Sequence, residues 1–161
     1  MKKFEFLEHT ADVKMRVFGA TLEELFCNAV LGMASLQIPN SKFQILNKSQ
    51  ISNSNHEPHE VHGCPESYVV QGKIQKEIKI ASQNLETLLV DFLSEVLTQS
   101  DIEHAVFPRA KIKKLTNTEI EAEIFGQKVD KFDEDIKAVT YHGMEVKKVG
   151  EHWEAVVLFD I

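Results

Sequence analysis

Polar clusters beside strand-like stretches are the residues of this sequence that could do chemistry, and the first lies near its start. The run Glu8-His9-Thr10-Ala11-Asp12 places an acid, an imidazole, a hydroxyl group and a second acid between two stretches with strand-like alternation. His9 and Asp12 could point to one side of the turn and form a site. Alternatively, Asp12 or Thr10 accepts hydrogen bonds from the backbone N–H groups of an ordinary turn.

The last residues of the sequence offer further oxygen donors. The stretch WEAVVLFDI is an apolar strand that runs to Ile161, so we expect the α-carboxylate of Ile161 to be held beside the side chain of Asp160. If Asp12 lies nearby, three hard oxygen donors converge, a set that suits Ca²⁺, Mg²⁺ or Mn²⁺. That convergence requires the first and last strands to be neighbours, which the sequence leaves open.

A third cluster, KAVTYHG, spans residues 137–143. Lys137, Tyr141 and His142 could be site groups. In the alternative interpretation, Tyr141 packs half-buried and His142 begins a turn at Gly143.

Three histidines and a cysteine, at positions 56, 59, 62 and 64, raise the question of a zinc site. Their spacing matches no strong zinc motif. They fall within residues 47–67, a polar stretch without periodicity that we expect to be a long exposed loop. We therefore assign no metal to them.

Two amphipathic helices are predicted to position these clusters. The first covers residues 21–36, where Thr21 is a suitable N-cap and Glu24 completes a capping box. The second follows the N-cap Asn84 and carries an apolar stripe of leucine, phenylalanine and valine. Both helices share the order L-E-x-L-(F/L), which marks either a duplicated β–α unit or a chance similarity.

Strands with alternating apolar residues surround the helices. They are predicted near residues 4–6 and 13–18, within 68–80, and at 110–115, 118–126, 136–149 and 152–161. Two helices covering one face of a mostly antiparallel sheet make an α+β domain, which we assign to residues 1–161 as a single unit.

Composition and charge exclude several classes of protein. The net charge of −7 argues against a protein whose main task is to bind nucleic-acid phosphates. We expect no signal peptide and no membrane span, because no apolar run approaches the ~18 residues that a span requires. Cys27 and Cys64 lack metal or redox spacing, so we expect two reduced thiols in a cytoplasmic protein.

Three ordered blocks of the sequence resemble the archease family. They are FLEHTADVKMRVFGATLEELFCNAVLGM at the start, NLETLLVDFLSEVL in the middle, and IKAVTYHGMEV with WEAVVLFDI at the end. Three blocks in order are more specific than a single short motif. Residues 47–67 depart from the family pattern, so no family role is assigned to them.

The resemblance implies a function and a set of site residues. Archeases are accessory proteins of RtcB-type RNA ligases, which join RNA ends in tRNA splicing and RNA repair. They promote guanylylation of the ligase's active-site histidine by GTP, and the ligase then turns over repeatedly. The family's divalent-metal site implies Asp12, Asp160 and the α-carboxylate of Ile161 as ligands here. His9 would be a ligand or contact one, and Lys137 is the next functional candidate.

Two other functions compete with this one. A chaperone-like protein-binding module would use the acidic cluster as a contact patch, and a metal-dependent hydrolase would cleave a small phosphate ester. The sequence has no Gly-rich phosphate loop, no G-x-S-x-G and no H-E-x-x-H, and its only evident general bases are His9 and His142. The resemblance, with which these absences agree, implies a non-catalytic accessory protein that binds little or no nucleic acid itself.

Overall fold

Two helices and seven strands make up the part of the chain that the structure describes. A computed structural model describes residues 2–7, 11–38 and 74–161. The elements are β1 (Phe4–Leu7), β2 (Val13–Gly19), α1 (Leu22–Gln37), β3 (Ile74–Ala81), α2 (Leu85–Glu103), β4 (Ala105–Leu115), β5 (Glu119–Lys128), β6 (Ala138–Val149) and β7 (His152–Asp160). The predicted loop at 47–67 lies outside the described residues.

The strands form two antiparallel sheets. One sheet has four strands in the order β1-β2-β7-β6, and the other has three in the order β3-β5-β4. Every described pair of neighbouring strands is antiparallel. The predicted α+β class is therefore confirmed. The division into two sheets was not predicted, because alternation identifies strands but not their partners.

Side chains at the predicted N-caps begin both helices. Thr21 Oγ1 accepts a hydrogen bond from the Glu24 N–H at 3.1 Å. The Glu24 carboxylate accepts from the N–H of Ala20 at 3.3 Å, one residue before the cap, so only half of the predicted capping box forms. Asn84 and Thr87 make a complete capping box on α2. Neither helix of the described residues combines the length and apolar character needed to cross a bilayer.

The helices pack against both sheets, and the core lies at their contacts. Helix α1 contacts β2 of the four-stranded sheet and β4 of the other, and α2 contacts β6 and β3. Met15 and Val17 of β2 are fully buried there. Helix α1 approaches β2 so closely that a Cβ atom at Gly32 would lie 2.3 Å from Met15 Sδ. The glycine therefore fixes how near the helix can come to the strand.

The opposite face of the four-stranded sheet carries the side chains that alternate with the buried ones. On β2 these are Lys14 and Arg16, and on β7 they are Val156 and Leu158, all partly exposed. We call this surface the outer face.

Cys27, on α1, is disulfide-bonded. The prediction of reduced thiols is therefore wrong for Cys27, and Cys64 lies outside the described residues. A disulfide depends on the proximity of two cysteines in space, which their spacing in the sequence does not report.

Candidate functional site

One end of the four-stranded sheet brings Asp12 and Asp160 together. Strands β2 and β7 are antiparallel neighbours, and Val13 pairs with Phe159. Asp12 directly precedes Val13, and Asp160 directly follows Phe159, so the register places the two aspartates side by side. The first and last parts of the chain are thus neighbours, which the metal hypothesis required.

Backbone contacts hold Asp160, and side-chain packing holds Ile161, at this end of the sheet. Asp160 pairs with Ala138 of β6, and its carbonyl oxygen accepts a hydrogen bond from the Lys137 N–H at 2.7 Å. The Ile161 side chain packs against the core. The side chain of Asp160 alternates with buried Phe159 and therefore lies on the outer face.

Lys137 and His142 occupy different positions relative to the two aspartates. Lys137 is exposed at the start of β6, beside the backbone of Asp160. His142 lies farther along β6, inside a bulge. His9, Glu8 and Thr10 lie outside the described residues.

The bulge in β6 shapes the outer face. Thr140 pairs with Leu158 and Glu145 pairs with Val156, so residues 141–144 lie opposite the single residue Val157. Gly143 adopts a φ of +67°, a left-handed conformation that favours glycine. Gly143 was expected to mark a turn, but it lies in a bulge within β6.

Tyr141 ties the bulge to helix α2. Its hydroxyl donates a hydrogen bond to Asp91, which also accepts one from Ser82 Oγ at 2.6 Å. The hydrogen bond to Asp91, together with partial burial, raises the pKa of the Tyr141 phenol. Tyr141 is 58% exposed and bonded to Asp91, so it does more than the packing that the alternative interpretation assigned to it.

The chemistry of the oxygen donors fits a hard divalent ion. Within the described ranges, no group of three His, Cys, Asp or Glu side chains could hold a metal. The site would therefore need Asp12 and Asp160 plus a group of another kind, such as the α-carboxylate of Ile161, or a residue outside those ranges, such as His9. Carboxylate oxygens suit Ca²⁺, Mg²⁺ or Mn²⁺.

Sequence reasoning missed Lys14, Asp91 and Ser82. Lys14 lines a pocket on the outer face together with His142 of the bulge. Its only signal was its position two residues after Asp12, which puts both side chains on one face of a strand. Asp91 and Ser82 carry no signal, because their role depends on the bulge.

Comparisons with known proteins cover nearly the whole chain. The model of the archease protein family (MTH1598/TM1083) matches residues 4–61 and 64–161. An archease of Methanosarcina mazei is 33% identical over 168 residues, which cover 99% of this chain and 97% of that protein. An archease of Pyrococcus abyssi is 29% identical over 170 residues, with full coverage of both chains.

Solved structures share the fold. Protein 1598 of Methanobacterium thermoautotrophicum, solved in solution, matches with a TM-score of 0.69 and 25% identity over the whole of both chains. The crystal structure of a Thermotoga maritima archease, described as a possible chaperone, matches with a TM-score of 0.52 over 96% of this chain and 94% of that one. Its 22% identity supports the likeness of fold only. Because the family model matches nearly the whole chain and one relative is 33% identical to it, this chain belongs to the archease family.

Proposed function

We propose that this protein is a non-catalytic accessory protein of an RtcB-type RNA ligase in tRNA splicing and RNA repair. It promotes GTP-dependent guanylylation of the ligase and so allows multiple turnover. Membership of the archease family supports the proposal. The observation that carries it is the pairing of β2 with β7, which puts Asp12 beside Asp160 at an exposed end of the sheet.

Asp12, Asp160 and the α-carboxylate of Ile161 would hold a divalent ion: Ca²⁺, Mg²⁺ or Mn²⁺. When bound, such an ion neutralises charge on a phosphate group and orients it. The chain's own residues fix the carboxylates. The Lys137 N–H anchors the backbone of Asp160, and the buried side chains of β2 and β7 hold the register. His9 would complete or support the ligand set.

The aspartate end of the sheet would act at the nucleotide site of the ligase. There it would position the ion near the α-phosphate of GTP, which the ligase histidine attacks with release of pyrophosphate. In a second mode, docking would stabilise a ligase conformation that is competent for guanylylation. Neither mode needs a nucleophile from this chain or direct binding of RNA by it. The protein would work in the cytoplasm, without a membrane.

The test is multiple-turnover RNA ligation by an RtcB-type ligase from the same source, with GTP and a divalent ion. Wild-type protein should increase the number of turnovers per ligase. The increase caused by Asp12→Asn should be at least about tenfold smaller, because this change removes one charge from the ligand set. Glu151→Gln is the matched control. It removes a carboxylate from the β6–β7 turn, at the opposite end of the sheet.

The outcomes separate the candidate functions. If wild-type protein leaves turnover unchanged, the accessory role is wrong. If Asp12→Asn stimulates as well as wild type, the role stands and the metal site is wrong. Equal help to unrelated client proteins without any metal would instead favour the chaperone-like module. Labelling the ligase with radioactive GTP reports guanylylation directly.

A further inference from the structure

A pocket opens on the outer face of the four-stranded sheet, where β6 bulges away from β7. Val156 and Leu158 of β7, Lys14 of β2, and His142 and Gly143 of the bulge line it. The lining combines apolar side chains with one cation and one imidazole. Apolar surroundings lower the local dielectric constant and strengthen the attraction between a cation and a bound anion.

Lys14 differs from the other cations of the outer face. Arg16 forms an ion pair with Glu5 at 3.2 Å, and Lys147 forms one with Glu145 at 3.6 Å. Among the residues that the structure describes, no carboxylate lies within ion-pair distance of Lys14. Its ammonium group can therefore pair with an anion that comes from outside the chain.

The bulge sets the opposite wall of the pocket. The left-handed conformation of Gly143 turns the chain there, and the bond from Tyr141 to Asp91 anchors the bulge to α2. His142 lies between these two fixed residues. Bulges of this kind re-aim side chains beside functional sites. The backbone of His142 is therefore fixed at the edge of the pocket, and its side chain lines the pocket.

The pocket adjoins the two aspartates. Lys14 is two residues from Asp12, and Leu158 is two residues from Asp160, which is roughly 6.6 Å along each strand. Side chains at this spacing share a face. Hard divalent ions are often shared between protein carboxylates and a ligand's phosphate, so a phosphate in the pocket would border the proposed ion.

We propose that this pocket binds the phosphate group of a small ligand, with Lys14 and His142 as its donors. Lysine binds phosphate as a point charge in many phosphate sites. A ring N–H of His142 can donate a hydrogen bond to a phosphate oxygen. The proposal of a phosphate-binding pocket rests on the residues that line it. Only the link between the pocket and the ion rests on the proposed function.

The net charge of −7 limits the affinity that we expect for an anion such as phosphate. It repels anions at long range, so binding depends on local contacts and weakens as salt screens them. Two donors on an open surface predict a dissociation constant on the order of 1 mM.

The test is a titration of the ¹⁵N-labelled full chain at pH 6.5 and constant ionic strength, followed by NMR. The probes are inorganic phosphate, adenosine 5′-monophosphate and adenosine. Phosphate and the nucleotide should give saturable shifts of the Gly143 amide, and adenosine should not. Lys14→Ala should weaken phosphate binding about tenfold, the loss of one charge-assisted hydrogen bond. Lys147→Ala is the control, because it removes an already paired lysine from the same face.

Four results would overturn the proposal. One is a shift that does not saturate, and another is an equal loss in Lys147→Ala and Lys14→Ala. The third is binding of adenosine as tight as that of its monophosphate. If Lys14 only offsets the charge of the two aspartates, Lys14→Ala will tighten Mg²⁺ binding and leave phosphate binding unchanged, which also contradicts the proposal.

Mg²⁺ tests the link to the aspartates. It should raise the affinity of wild type for phosphate but not that of Asp160→Asn, and the absence of this difference would disprove the link. The titration contains neither ligase nor GTP. Its failure therefore leaves the accessory role standing, and failure of the ligation assay leaves the pocket standing.

Discussion

Asp160 links the candidate site to the sheet through three contacts. Its carbonyl oxygen accepts the Lys137 N–H, its backbone pairs with Ala138, and its side chain alternates with buried Phe159. Because the strand fixes its position, a change from Asp160 to Asn would remove charge without moving the backbone. The same reasoning applies to Asp12 through the pair Val13–Phe159.

The α-carboxylate of Ile161 gives the site a test that changes no side chain. Adding Gly-Ser-Gly after Ile161 moves that carboxylate away from the two aspartates. We expect the affinity for a divalent ion to fall at least about tenfold, or ~1.4 kcal/mol, because the number of charged oxygen ligands sets affinity. Calorimetric titration measures it. Ile161→Leu keeps the carboxylate and should bind like wild type, and an unchanged affinity in the extended chain would remove Ile161 from the ligand set.

The sequence identified Asp12, Asp160 and Lys137 as candidates, and the structure brings these three to one end of one sheet. Their role as ligands stays a prediction. Lys14 and Asp91 were not predicted, because Lys14 shares a pocket with residues of other strands and Asp91 of α2 accepts a hydrogen bond from a strand residue. Such contacts depend on register, and a bulge shifts register without a strong sequence signal.

At the scale of elements, helix α2 contains a buried hydroxyl group without a partner. Ser100 is fully buried, and its Oγ has no hydrogen-bond partner among the described residues. Its backbone carbonyl accepts the N–H of His104, which ends the helix in a left-handed conformation with a φ of 48°. The helix end is thus bonded through its backbone, and the hydroxyl contributes nothing to it.

Ser100→Ala should stabilise the protein. Alanine favours helix by about 0.5 kcal/mol over serine, and removing a buried unbonded hydroxyl adds about 1 kcal/mol. The free energy of unfolding in urea measures the change. Ser94→Ala on the same helix is the control and should gain the helix preference alone, because Ser94 is only partly buried. Equal gains in the two variants would mean that the Ser100 hydroxyl carries no penalty.

Elements were predicted better than their arrangement. Periodicity located both helices with their caps and the four C-terminal strands, since it reports burial along one segment, but it missed residues 105–109 of β4. It predicted residues 136–149 as one strand and could not show the bulge at 141–144. It also could not assign β3, β4 and β5 to a sheet of their own, because partner choice is decided by packing between distant segments.

At the scale of the molecule, surface ion pairs join elements of the three-stranded sheet to one another and to α2. Lys113 of β4 forms ion pairs with Glu77 of β3 and Glu123 of β5, with Nζ–Oε1 distances of 2.8 and 2.9 Å. Lys76 of β3 reaches Glu103 of α2 at 2.7 Å. A single exposed ion pair contributes little to stability, but a lysine that pairs with carboxylates on two strands links those two strands.

These pairs predict acid sensitivity. Hydrogen bonds from lysine side chains lower the carboxyl pKa values of Glu77, Glu103 and Glu119, whereas burial raises that of Asp101. A lowered pKa in the folded state gives stability that is present above the unfolded value, near 4.5, and is lost as pH falls through the folded value. The raised pKa of Asp101 has the opposite effect on stability, but it is one carboxyl group against three. The free energy of unfolding should therefore fall as the pH drops through and below about 4.5.

Urea denaturation at several pH values tests this prediction. Lys113→Gln should flatten the dependence on pH, because Glu77 loses the hydrogen bond that lowers its pKa. Lys131→Gln removes an exposed lysine from the loop between β5 and β6 and should leave the dependence unchanged. A stability that rises on acidification would show that Asp101 dominates.

The pairing of β2 with β7 also governs how the chain must fold. Val13 and its partner Phe159 are separated by most of the sequence, so β2 leaves the ribosome long before the strand that covers its edge. Such long-range pairing slows folding, and until it forms, the edge of β2 stays open to pairing with other chains. Asp12 and Asp160 come into register only when this step is complete. A chain interrupted before β7 would therefore lack the strand that brings Asp160 beside Asp12.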